Sequence, residues 1–212
     1  MTDIVYATGN PGKFAQVQKI FAHHGIKLMS PADFGVKIDV EEIGKTLEQN
    51  ATLKAQAYLK ILPPHTIIIG DDTGIEIDAL GGEPGIMVRR WKGSHMEDEE
   101  IINYCLDKLA GVPVAKRGAQ FRTVLAVAID EQPVQYFEGI MRGVILEKPM
   151  EGREIGMPFW PIFYLPDLQM TLGEFHSEPM DFQLAHPTHR ERAVMAALPY
   201  LTAQADLATS TN

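Results

Sequence analysis

The 212 residues are 45% hydrophobic and carry a formal charge of −9, enough for one medium domain or two joined lobes. That charge excludes a sequence-independent grip on nucleic acid, which needs a basic surface. The single cysteine, Cys105, excludes an intrachain disulfide and fits a reducing compartment. No run approaches ~18 apolar residues and the start lacks the apolar core of a signal peptide, so no membrane partner is expected and the cytoplasm is the expected location.

Taken in order, Asp3–Thr8 reads as a first strand and Gly9-Asn10-Pro11-Gly12-Lys13 as a turn into a helix with Phe14, Val17, Ile20 and Phe21 on one face. Strand, glycine turn, lysine and helix form a layout that can cradle phosphate on turn amides and a helix N-terminus. It is not a P-loop, and a plain strand–turn–helix connection is the alternative reading. Lys27–Gly44 reads as a connecting strand and acidic loop ending in Glu41 and Glu42. Thr46-Leu47-Glu48-Gln49 is a capping-box pattern opening a helix that reaches about Leu62, where Pro63 and Pro64 stop it. Asn50 and Lys54 share one face of that helix.

Thr66–Ile69 is a short, β-branched, buried strand. It is expected to end in Gly70-Asp71-Asp72-Thr73-Gly74, placing two adjacent carboxylates where the chain leaves the sheet. Ligands of open α/β sheets sit beyond strand ends. Two neighbouring acids repel unless a cation or a shared proton relieves them, and Mg²⁺ suits oxygen donors. A second alternating run, Gly74–Leu80, leads to the tight loop Gly81–Gly85 and then to Arg89 and Arg90. Acids followed by arginines suggest phosphate chemistry; a turn with solvated acids is the bland alternative.

Glu97–Leu109 has acids in its first turn and apolar residues at helical spacing, with Cys105 expected as a core thiol. Phe121–Ile129 and Gln135–Ile145 read as strands joined by a hairpin at Asp130–Pro133. Gly152–Pro161 is a loop carrying Met157, Phe159 and Trp160, aromatics that could stack a base or pack the loop onto the core. Thr188-His189-Arg190-Glu191 opens a last helix through Leu201. His186 and His189 are interrupted by proline and do not present themselves as a zinc pair on one helix face. Residues 1–204 are expected to form one domain and 205–212 a polar, frayed tail.

Together these pieces resemble the inosine/xanthosine triphosphate pyrophosphatases, the Ham1 family. The resemblance rests on Thr8-Gly9-Asn10-Pro11-Gly12-Lys13, Gln49-Asn50-Ala51-Thr52-Leu53-Lys54-Ala55, Asp71-Asp72-Thr73-Gly74, Leu80-Gly81-Gly82-Glu83-Pro84-Gly85-Ile86, Arg90-Trp91 and Thr188-His189-Arg190. It implies an α/β fold, a long twisted mixed β-sheet flanked by helices, in two lobes with a nucleotide cleft between them. It also implies a homodimer and hydrolysis of a nucleoside triphosphate to monophosphate and pyrophosphate with Mg²⁺. The residues carried over are Asp72 and Lys13 as catalytic groups. Asp71, Asp72 and Gln49 would hold the metal. Thr8, Gly9, Asn10, Lys13, Asn50, Lys54, Thr73 and Arg90 would hold the nucleotide, with Phe159, Trp160, His189 and Arg190 at its base.

Five departures from the family pattern accompany these matches, one of them Met157 where a base-stacking phenylalanine is usual, a function Phe159 could replace. Gln49 stands where a metal-binding glutamate is usual, with Glu48 pointing about 100° away around the helix. Gln16 also replaces a glutamate. Trp160 replaces the aspartate that reads the purine edge, and Leu184 replaces a lysine. Base selection depends on hydrogen bonds that penalise the wrong partner, so these changes point to a shifted base preference. A nucleotide-binding module without turnover and a hydrolase of another phosphorylated substrate are the other readings.

Overall fold

A computed structural model describes residues 2–151 and 153–210. Expectations that touch Met1, Gly152, Thr211 and Asn212 lie outside the described residues. The elements are β1 (Ile4–Ala7), α1 (Pro11–His23), β2 (Leu28–Met29), α2 (Leu47–Leu59), β3 (Ile67–Ile77), β4 (Pro84–Gly85), α3 (Asp98–Lys108), β5 (Gly118–Ala128), β6 (Gln135–Ile145), β7 (Phe163–Leu165), β8 (Met170–Thr171), α4 (Leu172–Phe175), α5 (Met180–Ala185) and α6 (His189–Ser210). The sheet is mixed, with strand order β2-β1-β3-β5-β6-β7-β8 and β4 on β3. This is the α/β architecture that the sequence implies. No helix among the described residues is long and apolar enough to cross a membrane.

The chain divides into two compact units, and β3, β5 and β6 each contribute residues to both. The first unit comprises residues 1–73, 123–139 and 189–212. In it β1 runs parallel to β2 and β3, with Ala7 opposite Gly70 at the end of the β1 ladder. Asn10 caps α1 by accepting from the Lys13 amide at 3.1 Å, Pro11 occupies the first helical turn, and α1 packs against α6. Ile4, Val5, Ile20, Phe21, Ile67, Ile68 and Val194 form part of its buried interior.

The second unit comprises residues 74–122 and 140–188. Ile75, Ile77, Ile101, Cys105, Phe121, Phe159, Phe163 and Phe175 belong to one buried apolar cluster there. Its β7 is antiparallel to β6, with Val144 opposite Tyr164, and β8 pairs with β7.

Several boundaries differ from the sequence reading. β3 does not end at Gly70 but runs on to Ile77, because the alternating Gly74–Ile77 run continues the same strand; it is β1 that stops opposite Gly70. The Thr46 capping box is half formed. Thr46 accepts from the Gln49 amide at 3.2 Å, but the Gln49 side chain turns to the amide of Lys45. The helix expected to end near Leu201 continues to Ser210, and Ala205 and Leu207 are good helix formers. β7, β8, α4 and α5 carried no readable periodicity at their lengths.

Candidate functional site

Successive side chains of a strand point to opposite faces. Asp71 and Asp72 lie within β3, not at its end, and are therefore sent to different partners. Asp71, 1% exposed, accepts from Lys13 Nζ at 2.8 Å and lies 3.6 Å from Arg190 Nε. Thr73, two residues on and on the same face, directs its hydroxyl to Asp71 Oδ2 at 3.4 Å. Asp72, 6% exposed, accepts from Asn50 Nδ2 at 3.0 Å and lies 3.6 Å from Lys54 Nζ. Gly70 shares the face of Asp72, and any Cβ there would overlap the Ala51 carbonyl and the Ala55 amide of α2. This close approach of helix and strand is what delivers Asn50 and Lys54 to Asp72.

Charge separates the two acids further. Burial would raise Asp71, but Lys13, Arg190 and Lys54 outweigh it and hold the carboxyl well below the usual carboxylate range. Burial raises Asp72, opposed by Lys54 and Lys13 and assisted by the nearby Glu42 carboxylate. Burial lowers Lys13 despite Asp71, whereas for Lys54 the effect of burial is overcome by Asp72, Asp71 and Glu42, which raise it.

Arg190, 2% exposed in the first turn of α6, is placed with the acids in the first unit. Its guanidinium donates to Thr73 Oγ1 at 3.0 Å and to Gln16 Oε1 at 2.6 Å. Gln16 in turn donates from Nε2 to Glu191 Oε1 at 2.8 Å, and Thr73 shares a 2.8 Å hydroxyl contact with Thr123. Arg190, expected at the base, sits beside Asp71 and Thr73. The reason is the strand register, which puts Thr73 and Asp71 on one face. Sequence reasoning missed Glu191, Thr123 and the bridging function of Gln16; a buried acid directly following Arg190 was the available signal. His189 is also buried in this unit.

At the end of β1, Asn10 N donates to Thr8 Oγ1 at 3.2 Å, and Gly9 is exposed with open space around its Cα. The expected strand, glycine turn and helix are thus formed, with Asn10 Oδ1 committed to the helix cap.

Arg90, Phe159 and Trp160 belong to the second unit. Arg90 ends a short 3₁₀ turn, Val88–Arg90, and the next residue, Trp91, donates to Glu83 at 3.0 Å. Phe159 is 2% exposed and meets Phe121 edge to face at 5.9 Å. Trp160 is half-buried and stacks on His176 at 4.3 Å between ring centroids. Met157 is buried and Leu184 half-buried. Of the two readings left open for this loop, core packing accounts for Phe159, and one face of Trp160 is already covered.

Among the described residues no group of three or more His, Cys, Asp or Glu side chains is arranged to hold a metal. Gln49 Oε1, expected at the metal, accepts from the Lys45 amide at 2.7 Å. The buried carboxylates of Asp71 and Asp72 nevertheless fit the way Mg²⁺ is commonly held, by one or two carboxylates with substrate phosphates supplying other oxygens.

The sequence profile described as "Ham1 family" matches residues 4–200. The chain is 39% identical over 187 residues to a dITP/XTP pyrophosphatase of Geobacillus kaustophilus, covering 88% of this chain and 89% of that protein. It is 36% identical over 178 residues to the dITP/XTP pyrophosphatase of Bacillus subtilis, covering 84% and 88% respectively. Its fold superposes on the Staphylococcus aureus Ham1 protein with a TM-score of 0.76 at 31% identity, covering 96% of this chain and 100% of that one. These similarities span the β3 acids, the α1 and α2 lysines and the start of α6, and by them the chain belongs to the Ham1 family.

Proposed function

We propose that the chain is a Mg²⁺-dependent nucleoside triphosphate pyrophosphohydrolase, converting a deaminated purine nucleotide such as ITP, dITP or XTP to its monophosphate and pyrophosphate. The observation that carries this reading is the buried cluster in which Asp71 and Asp72 hold separate partners while Lys13, Lys54 and Arg190 supply positive charge around them. The names of the relatives, dITP/XTP pyrophosphatases, support the choice of substrate.

On this reading Asp72 orients the attacking water and accepts its proton, its carboxylate fixed by the Asn50 amide. Lys13 and Lys54 turn from Asp71 and Glu42 toward the phosphates, where developing negative charge gives them more to bind in the transition state. Thr8, Gly9 and Asn10 border the triphosphate, with Arg90 as a further cation for it. Asp71 and Asp72 are the residues that would hold Mg²⁺. When bound, the ion neutralises the phosphates and the departing pyrophosphate. Arg190 keeps Thr73 and Asp71 in place. His189 is assigned to the base by the family pattern, and the loop at 157–160 offers no carboxylate at position 160. The protein acts in the cytoplasm as a homodimer, which light scattering of the eluting protein tests directly.

Pyrophosphate release with Mg²⁺ across ITP, dITP, XTP and the common NTPs and dNTPs tests the proposal. Turnover of the 6-oxo purines or of a related altered base is expected, with the changes at Trp160 and Leu184 shifting the preference among them. The second reading, a binding module without turnover, is favoured by one observation: the Gln49 oxygen is engaged by Lys45. Calorimetric binding of these nucleotides without pyrophosphate release would select it.

A further inference from the structure

The β1–β3 register adds a residue to the charged face of β3. In that parallel ladder Tyr6 stands opposite Ile69, and side chains two positions apart on a strand share a face. Tyr6 is thus on the face of Asp71 and Thr73. Its ring is fully buried, with its centroid 6.5 Å from that of Phe14 on α1, packing that a phenylalanine would supply equally well. The hydroxyl is what needs a reason. A buried tyrosine usually finds a partner for it, yet among the described residues Tyr6 Oη has none, and neither has Arg190 Nε. Both donors stand near Asp71. Burial pushes the Tyr6 phenol well up, Asp71 adds to that and Arg190 opposes it, while Arg190 Nε lies 3.6 Å from Asp71 Oδ2.

The two oxygens of Asp71 are held unequally. Oδ1 accepts from Lys13 at 2.8 Å. Oδ2 receives the Thr73 hydroxyl only at 3.4 Å, and Arg190 Nε is too distant for a hydrogen bond. When Lys13 turns to the phosphates, Asp71 loses its shortest contact while it stays 1% exposed. A buried carboxylate left short of donors is costly, and two uncommitted donors stand beside its loosely held oxygen.

We propose that Tyr6 Oη and Arg190 Nε are reserve donors for Asp71: as Lys13 leaves Oδ1, they close on Oδ2 and keep the carboxylate in place. Tyr6 is thereby a positioning residue for phosphate binding, acting through Asp71 and Lys13. The proposal rests on the reading above that Lys13 moves to the phosphates. The handover itself can be provoked without any nucleotide, by Lys13→Met, which takes the ammonium from Asp71 and leaves a side chain of similar length.

The test compares the native protein with Tyr6→Phe, Lys13→Met and the double variant by urea unfolding and by spectra of ¹³Cζ-labelled tyrosine. In the native background Tyr6→Phe removes an unpartnered hydroxyl, so the urea midpoint should hold or rise. In the Lys13→Met background the same change should lower it, because the hydroxyl then holds Asp71. The Tyr6 resonance, assigned by its loss in Tyr6→Phe, should move in Lys13→Met and also when Mg²⁺-free pyrophosphate is added to the native protein. By calorimetry, pyrophosphate should bind Tyr6→Phe about ten-fold more weakly than the native protein, the loss of one hydrogen bond to a charged group. A midpoint lowered equally in both backgrounds gives the hydroxyl a resting structural role and overturns the handover. So does a Tyr6 resonance unmoved by Lys13→Met, or native pyrophosphate affinity in Tyr6→Phe. Should Lys13→Met not fold, the pyrophosphate titrations decide. If the native protein binds no pyrophosphate, the assignment of Lys13 to the phosphates fails, and the unfolding cycle and the Tyr6 resonance in Lys13→Met alone decide whether Tyr6 takes over Asp71.

Discussion

The charged cluster around β3 in the first unit and the aromatic loop at 157–160 in the second are built on opposite principles. In the cluster, buried ionic groups are held by partners of definite geometry: Lys13 on Asp71, Asn50 on Asp72, Arg190 on Thr73 and Gln16. In the loop, Met157 and Phe159 are withdrawn into apolar packing and Trp160 is stacked on a histidine. Buried charge demands specific donors and acceptors, so the charged cluster tolerates little drift. Apolar packing accepts rings of similar volume, so the loop is free to change.

The largest break in this contrast should come from Asp72→Asn. We expect kcat to fall on the order of a thousand-fold, within the range for loss of a general base, with nucleotide affinity by calorimetry little changed. Native turnover in that variant would remove Asp72 from the catalytic assignment.

Arg190→Leu should act on the fold of the same cluster. It leaves the buried Asp71 with one cation fewer and strips Gln16 and Thr73 of their donor. Breaking a buried ionic network costs about 3–5 kcal/mol, measurable as a lowered urea midpoint. Gln16→Glu is a subtler probe, since it would set a carboxylate against Glu191 where an amide now donates at 2.8 Å. A loss of about 1–3 kcal/mol is expected from the unsatisfied buried acceptors. An unchanged midpoint would mean that the bridge carries no energy.

On the other side of the comparison, Trp160→Leu should remove the His176 stack at a cost of about 0.5–1.5 kcal/mol, with kcat altered little for any one purine. A large effect on one base alone would show that the exposed part of the indole reads it. The smallest effect belongs to Cys105, whose thiol burial pushes up to about 12. The folded protein should not react with a thiol reagent at pH 8, and reaction should appear only on unfolding. Rapid labelling of the folded chain would show that the core of the second unit opens readily.

How much of this was legible in the sequence follows the same divide. Lys13, Asn50, Lys54, Asp71, Asp72 and Thr73 stand in short motifs whose residue types announce their chemistry, and all six lie in the first unit. Strands β1, β5 and β6 and helices α1, α2 and α3 were legible from apolar spacing and caps. What escaped was set by distant contacts. Whether Phe159 meets a base or Phe121 depends on packing that no local pattern records, and β7 exists because β6 gives it a ladder. Glu42 read as part of a solvated acidic loop because nothing near it in sequence announces Lys54.

The bridge from Gln16 to Arg190 and Glu191 has a further consequence, for the order of events as the polypeptide is made. Its members are 174 and 175 positions apart. A ribosome that has completed α1 must translate every intervening element before α6 emerges to cover it. During that interval Gln16, Val17, Ile20 and Phe21 await a partner, and the buried charge of Asp71 awaits Arg190. Pairings so far apart along a chain form slowly and leave unsatisfied surface exposed meanwhile. The nascent chain should therefore depend on ribosome-associated chaperones. The same delay keeps the charged cluster around β3 unfinished until α6 has been made.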